Sequence, residues 1–307
     1  MNNKEKLHKL YEESLVNVNG VITKAEEAKI SVFDRGFLYG DSIYEVTYSE
    51  DYCIYFLDEH LDRLYQSANI INLEIFLNRD ELIKEIIKTL KESKIAQAYI
   101  RLIITRGETE ITLDPNSSFK NNYIIIVKPK PIYNENFYSK GLKLALVSSL
   151  SNSSNPNKQT AKSGNYLNNV LAMNEAKQKN FDDALMINNH GDITEGTTFN
   201  IWMVKDNIIY TPPIESGLLK GITREKIIQI CRENNLTLKM EKFSPKDILN
   251  ADEVFITSSG RQVMPIYKIN DKIYGEGINE WKMIKLLSTK YKELVEKYKC
   301  KKEYTYT

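Results

Sequence analysis

Residues 128–131 read Lys-Pro-Lys-Pro. Two prolines so close together remove two backbone donors and hold φ at about −65°, so neither a helix nor an interior strand runs through them. The segment divides the chain, and an interdomain loop is expected at 129–140. A small domain over 1–128 precedes it and a larger one over 141–307 follows. At 307 residues the chain is long enough to bury a core in each half.

On the N-terminal side, Asn19-Gly20 between short strand-like runs predicts a hairpin turn. The run Ser42-Ile43-Tyr44-Glu45-Val46-Thr47-Tyr48 is a strand preceded by Gly36 and Gly40 beside aromatics. Asp58 is placed as the N-cap of a helix over 59–68, with Leu61, Leu64, Tyr65 and Ala68 on one face. Arg63 sits at the edge of that face, where it reaches inward or pairs with Glu59. His60, alone in a helix, is read as structural. A second helix is expected over 79–93 and strands over 98–105 and 123–128. In the first of these, Tyr99, Arg101 and Ile103 share one face, and Ile100, Leu102 and Ile104 the other.

The C-terminal half opens with a strand over 142–147. A Ser/Asn/Pro-rich loop, 149–157, then leads to Gln159-Thr160-Ala161-Lys162-Ser163-Gly164-Asn165-Tyr166 and a helix carrying Leu167, Val170, Leu171 and Ala172. A loop-to-helix junction presents one amine while the scaffold holds its backbone still. Strands at 184–188 and 193–202 flank a turn at 189–192. Glu195 lies within the second, and because acids are disfavoured in strands it has either solvent or a specific buried partner. Near Leu218-Leu219-Lys220-Gly221-Ile222-Thr223 a helix starts, with Thr223 as candidate N-cap and first-turn N–H groups suited to an anion. The strand Phe255-Ile256-Thr257 runs into the small-residue turn Ser258-Ser259-Gly260-Arg261. An amphipathic helix from Trp281 to Cys300 closes the chain.

The net charge of +1 gives no electrostatic case for nucleic acid or an anionic membrane. No apolar run approaches membrane-spanning length, and the N-terminus lacks the apolar core of a signal peptide. Cys53, Cys231 and Cys300 suggest neither a disulfide framework nor a zinc site, so no metal is expected and a cytoplasmic setting is.

Taken in order, these segments resemble the fold-type IV pyridoxal-phosphate enzymes, the class IV aminotransferases, over roughly Val18 to Tyr274. The resemblance implies an α+β or α/β architecture in two domains: a small N-terminal α/β domain and a larger C-terminal pseudo-barrel. It implies pyridoxal 5′-phosphate as cofactor. Lys162 matches the Schiff-base lysine, Arg63 the phosphate-binding arginine and Tyr166 the tyrosine on the cofactor's phenolic oxygen. Glu195 matches the acid facing the pyridine nitrogen and Leu219 the residue packed on the ring. Ile222 and Thr223 match the helix-start phosphate cup, and Ser258 and Ser259 the second small-residue turn. The chemistry asks for these types: an amine that carries a proton, a carboxylate that keeps the ring nitrogen protonated, and a guanidinium with a helix N-terminus for the phosphate.

Tyr39, Tyr44, Tyr99, Arg101 and Tyr133 match pocket positions of the branched-chain group, in which Tyr99 and the turn N–H groups of Ser259 and Gly260 hold the substrate carboxylate. The Arg-x-His trap of the D-amino-acid group is missing from Gly107-Glu108-Thr109-Glu110-Ile111-Thr112. Thr197-Thr198-Phe199-Asn200 and Ser258-Ser259-Gly260-Arg261 depart from the branched-chain pattern, and 39–46 reads somewhat like the D-amino-acid group. Arg261 adds a cation for a substrate carboxylate or points to solvent. The expected activity is ping-pong transamination between a branched-chain-type L-amino acid and 2-oxoglutarate. The alternatives are a D-amino-acid or (R)-amine aminotransferase and a 4-amino-4-deoxychorismate lyase. The family's active site borrows a loop from a neighbouring subunit, which implies a homodimer or higher oligomer.

Overall fold

The computed structural model describes residues 2–118, 120–150, 160–275 and 277–300. Of the polar loop at 149–157, residues 151–157 lie outside these. The chain forms two compact units, one from Met1–Pro131 with Ala161–Asn165 and Tyr298–Thr307, the other from Ile132–Thr160 with Tyr166–Lys297.

In the first unit, helix α1 (Asn3–Glu12) precedes strands β1 (Leu15–Val18) and β2 (Val21–Lys24). Asn19 and Gly20 join them with φ of 53° and 92°, the double positive φ of a tight hairpin turn. The short helix α2 (Arg35–Tyr39), β3 (Ser42–Glu50) and β4 (Cys53–Ile54) follow. Helices α3 (Leu57–Ile70) and α4 (Arg79–Ser93), then β5 (Ala98–Thr105) and β6 (Asn122–Pro129), complete the unit. The strands form one antiparallel sheet in the order β2-β1-β6-β5-β3-β4. Its core joins Ile100, Leu102 and Ile104 of β5 to Leu61 and Leu64 of α3 and Leu82, Ile86 and Leu90 of α4. Tyr99, Arg101 and Ile103 are left half-buried on the opposite face. The strand alternation and both helix stripes therefore describe one buried layer, as the period-2 and period-3.6 patterns require.

Asp58 is not the N-cap of α3. Phe56 takes that place with φ 50° and no side-chain cap, and Asp58 lies in the first turn, paired to Arg79 at 2.7 Å. An acid there still meets the positive helix end. At α4, Asn78 and Glu81 form a reciprocal capping box.

The second unit begins with helix α5 (Asn136–Lys140), β7 (Leu142–Leu150) and α6 (Leu167–Gln178). Strands β8 (Asp183–Ile187), β9 (Ile193–Gly196), β10 (Asn200–Lys205) and β11 (Ile208–Thr211) follow. The remaining elements are α7 (Ile222–Glu233), β12 (Leu238–Met240), α8 (Pro245–Leu249), β13 (Glu253–Ser258), β14 (Gln262–Ile269), β15 (Lys272–Ile273) and α9 (Lys282–Cys300). Strands pair in the sequence β10-β13-β14-β7-β8-β9, and β9 returns to β10 through Asn200 opposite Glu195. The sheet thus closes on itself into a barrel-like ring, which abolishes two open edges. Leu144, Leu185, Ile201, Val254, Ile256, Met264 and Ile266 fill its core.

One expectation changes here. Gly221, not Thr223, is the N-cap of α7, and no side chain caps it; Thr223 is buried in the first turn. Helix α6 packs through Ala172 and Ala176 against Ala145, Val147, Ala184 and Met186. Small residues bring that helix close to the sheet, while Leu167, Val170 and Leu171 remain more than half exposed. No helix of the described residues is long and apolar enough to cross a membrane.

Candidate active site

In the first unit the Lys162 segment is tied to β3 as if it were a further strand. Lys162 O accepts from Tyr44 N at 2.9 Å, and Gly164 N donates to Ser42 O at 2.9 Å. Ile43 and Ser163 form a bridge, and Lys162 N donates to Ser67 Oγ of α3 at 3.1 Å. The backbone of the lysine is held from both sides, which leaves its side chain as the moving part. Lys162 Nζ stands 4.5 Å from the ring centroid of Tyr44, and the Arg101 guanidinium stands 4.1 Å from the same centroid. Register explains this meeting: Val46 lies opposite Arg101 and Tyr44 opposite Ile103, so Tyr44 and Arg101 share a face. Arg101 Nε is buried with no hydrogen-bond partner among the described residues. Tyr99 stands edge-on to Tyr48 at 5.6 Å, and Tyr39 receives the Arg35 guanidinium at 5.2 Å.

Glu45, one residue after Tyr44, faces the helices. Its carboxylate takes Arg63 Nε at 2.7 Å and Arg63 Nη2 at 2.8 Å, a bidentate clasp that sets the guanidinium plane. His60 Nδ1 lies 2.7 Å from the second oxygen. An ionised carboxylate only accepts, so Nδ1 carries the proton. Burial drives the Glu45 pKa up, but the charge and hydrogen bonds of Arg63, joined by His60, outweigh it and hold the carboxyl at about 2. Burial also pushes His60 below its ordinary range, against the pull of Glu45. Sequence reasoning gave Glu45 no role and His60 a structural one. The missed signal was an acid on the helix-facing side of a strand whose neighbours there are Ile43 and Thr47.

In the second unit Glu195 has the specific partners expected of an acid in a strand. Leu219 N donates to Glu195 Oε2 at 3.1 Å, and Asn200 Nδ2 approaches the same oxygen at 3.4 Å while donating to Leu219 O at 2.9 Å. Two of the family-matched residues, Glu195 and Leu219, are therefore joined directly. Ile222 and Thr223 are buried at the start of α7, and Thr223 bonds the hydroxyl of Tyr291, which burial pushes up to about 12. Tyr166 stands at the N-cap of α6, and Tyr133 packs against the barrel core. Ser258 Oγ accepts from Arg261 N at 3.1 Å, and Ser259 and Gly260 form the tip of that turn. Arg261 takes neither of the two expected courses alone: its Nη1 donates to the buried Asp183 at 2.9 Å.

The family model for amino-transferase class IV matches residues 42–269. The chain belongs to the class IV aminotransferases. Among its relatives is "Putative branched-chain-amino-acid aminotransferase" of Methanocaldococcus jannaschii, 34% identical over 93% of this chain and 98% of that one. A D-alanine aminotransferase of Staphylococcus epidermidis is 33% identical, covering 85% and 91%. The solved branched-chain amino acid aminotransferase of Escherichia coli superposes with a TM-score of 0.85 at 26% identity, covering 91% of this chain and 94% of the other. The fold is fold type IV, and the chain is a transaminase of the class that uses pyridoxal 5′-phosphate. Each unit of this aminotransferase, taken by itself, carries groups of the chemistry such a cofactor would call for. The uncapped start of α7 offers N–H groups to a phosphate, the Glu45-clasped Arg63 offers an oriented cation, and Glu195 is an anchored carboxylate.

Proposed function

We propose that this class IV aminotransferase transfers an amino group between a branched-chain-type L-amino acid and 2-oxoglutarate by a ping-pong mechanism. The observation that carries the reading is the pair of cations on Tyr44. Beside the reactive amine of Lys162 lies Arg101, whose buried Nε lacks a partner among the described residues. A second carboxylate, such as the distal one of glutamate or 2-oxoglutarate, supplies that partner. The tyrosine face beside it suits an aliphatic side chain. The M. jannaschii relative, matched over nearly its whole length, supports the same choice.

Pyridoxal phosphate, when bound, supplies an electron sink for the carbanion at the substrate α-carbon. Lys162 is the base and acid that takes the α-proton and returns it. By the family match, Glu195, steadied by Leu219 N–H and Asn200, would keep the ring nitrogen protonated, and Leu219 would pack on the ring. Tyr166 would donate to the phenolic oxygen. Arg63, the first-turn N–H groups at Ile222 and Thr223, and Ser258 with Ser259 would bind the phosphate. Tyr99 with the N–H groups of Ser259 and Gly260 takes the substrate's α-carboxylate, and Tyr39 and Tyr133 line the pocket.

A homodimer belongs to the proposal. Arg35, itself buried, donates Nη1 to Thr112 O at 2.7 Å and to Asp114 O at 3.2 Å, shaping a loop that exposes Ile111 and Leu113. Exposed apolar residues of this size on one loop suit burial by a second copy.

The test is one half-reaction at a time. The loaded enzyme receives L-leucine, L-glutamate or D-alanine, and the absorption of the bound cofactor and the oxo-acid product are followed. Conversion by both L-leucine and L-glutamate, with D-alanine inert, is expected. Conversion by D-alanine with L-leucine inert replaces this reading by the D-amino-acid one, which the S. epidermidis relative represents. Release of pyruvate from aminodeoxychorismate without amino transfer replaces it by a lyase.

A further inference from the structure

The barrel of the second unit closes through a single registered pair, Asn200 opposite Glu195. One pair is a thin seam for the strand that carries the carboxylate on which the cofactor reading depends. The structure reinforces it from the side with a buried carboxylate, Asp183 at the start of β8. Asp183 Oδ1 accepts from the Thr197 hydroxyl at 2.6 Å and from Ala184 N at 2.8 Å. Its other oxygen accepts from Arg261 Nη1 at 2.9 Å. One side chain thus ties together the turn that joins β9 to β10 and the turn that joins β13 to β14.

The same arginine also lies over an aromatic ring. The Arg261 guanidinium lies 5.6 Å from the ring centroid of the buried Phe199. The Phe199 ring in turn lies directly on Gly196, where any β-carbon would overlap it. Gly196 N donates to Phe199 O at 2.9 Å, closing the turn immediately after Glu195. The stack runs Asp183, Arg261, Phe199, Gly196, and the next residue back is Glu195. A guanidinium can donate to a carboxylate and lie over an aromatic ring at once, a combination that an ammonium reproduces only in part.

We infer that Asp183 and Arg261 are positioning residues for Glu195: their ion pair presses Phe199 onto Gly196 and so sets the direction of the Glu195 carboxylate. This rests on the reading of Glu195 as the partner of the pyridine nitrogen. Asp183 also occupies the Arg261 edge nearest it, so the charge serves the barrel seam before any substrate carboxylate. The pair spans 78 residues of chain, so neither partner announces the other in the sequence.

The experiment compares loaded Glu195→Gln, Arg261→Met, Arg261→Lys and Asp183→Asn with wild type. Two quantities are read: the pH dependence of the bound cofactor's absorption, and the cofactor dissociation constant. Arg261→Met keeps an aliphatic cover on Phe199 and is partly exposed, so it remains informative if Asp183→Asn fails to fold. Arg261→Met is expected to move the pH profile in the same direction as Glu195→Gln and to weaken cofactor binding by about tenfold, the scale on which outer partners of a site act. Arg261→Lys recovers only part of it. An unchanged profile and affinity in Arg261→Met, with Glu195→Gln altered, overturns the inference while leaving Glu195 in its role. A lowered melting temperature with an unchanged profile does the same, because it marks the pair as merely structural. An unchanged profile in Glu195→Gln overturns the reading of Glu195 itself, and the inference with it.

Discussion

Tyr44 and Glu45 are neighbours on one strand, and the pleat sends them to opposite faces of one sheet. On the helix side, Glu45 gives a cation its anion: Arg63 is clasped by two bonds and His60 completes the carboxylate. On the other side, Tyr44 carries two cations, Lys162 and Arg101, on an aromatic face that supplies no full charge in return. A π face attracts a cation through its quadrupole rather than through a charge. The helix side is settled within the chain, with a guanidinium fixed in place. On the other side the two cations meet over one ring, and in the proposed reading that ring lines the substrate pocket. One residue step along a strand separates the two conditions.

This contrast can be broken at either face. Lys162→Ala is expected to lower turnover by roughly four orders of magnitude or more, because the amine that moves the proton is gone. Its melting temperature should stay near wild type, since Lys162 is held through its backbone. Appreciable multiple turnover in steady-state assays would remove Lys162 from its role. On the helix side, Glu45→Ala leaves Arg63 and His60 buried without their carboxylate and is expected to cost about 3–5 kcal/mol in denaturant unfolding. It should also loosen cofactor binding, because the plane of Arg63 is no longer set. A near-neutral unfolding midpoint would show that solvent or another group replaces Glu45.

Arg101→Met sharpens the contrast on the substrate side. The KM for L-glutamate is expected to rise roughly 10- to 100-fold, the worth of one or two charge-assisted hydrogen bonds, while that for L-leucine changes little. Equal changes for both amino acids would deny Arg101 the second carboxylate. The smallest effect is in pH. Glu45 titrates at about 2 in the folded state against an ordinary value of 4.5, so its contribution is complete above about 4.5 and is lost as pH falls toward 2. His60, also lowered by burial, acts in the same sense, beginning below its ordinary 6.5. The melting temperature of wild type should therefore decline between about pH 4.5 and 2 more steeply than that of Glu45→Gln. Parallel curves would show that other groups govern acid stability.

Much of the scaffold was legible in the chain. The alternation of 98–105 and the apolar stripe of 79–93 gave those elements to the residue, and Asn19-Gly20 gave its hairpin. These are local patterns, in which backbone period and side-chain polarity coincide. Helix starts were less legible. Asp58 and Thr223 have good capping chemistry, yet the chain enters α3 through Phe56 and α7 through Gly221, because entry direction is set by the packing of the preceding loop. Helix α6 shows another limit. Its large apolar residues stay exposed, and the sheet accepts only the alanines at that distance.

The sequence by itself determined which residues form strands and helices, and it marked Lys162 and Glu195 as chemically distinctive in their settings. Only the tertiary structure decided whom the charged groups meet. Arg63 takes Glu45 from β3, Arg261 takes Asp183 from β8, and Arg101 comes to the ring that Lys162 shares. The physical reason is range. Periodicity is a property of a few successive residues, whereas these pairings depend on strand register and ring closure, which bring together groups that the chain itself keeps far apart.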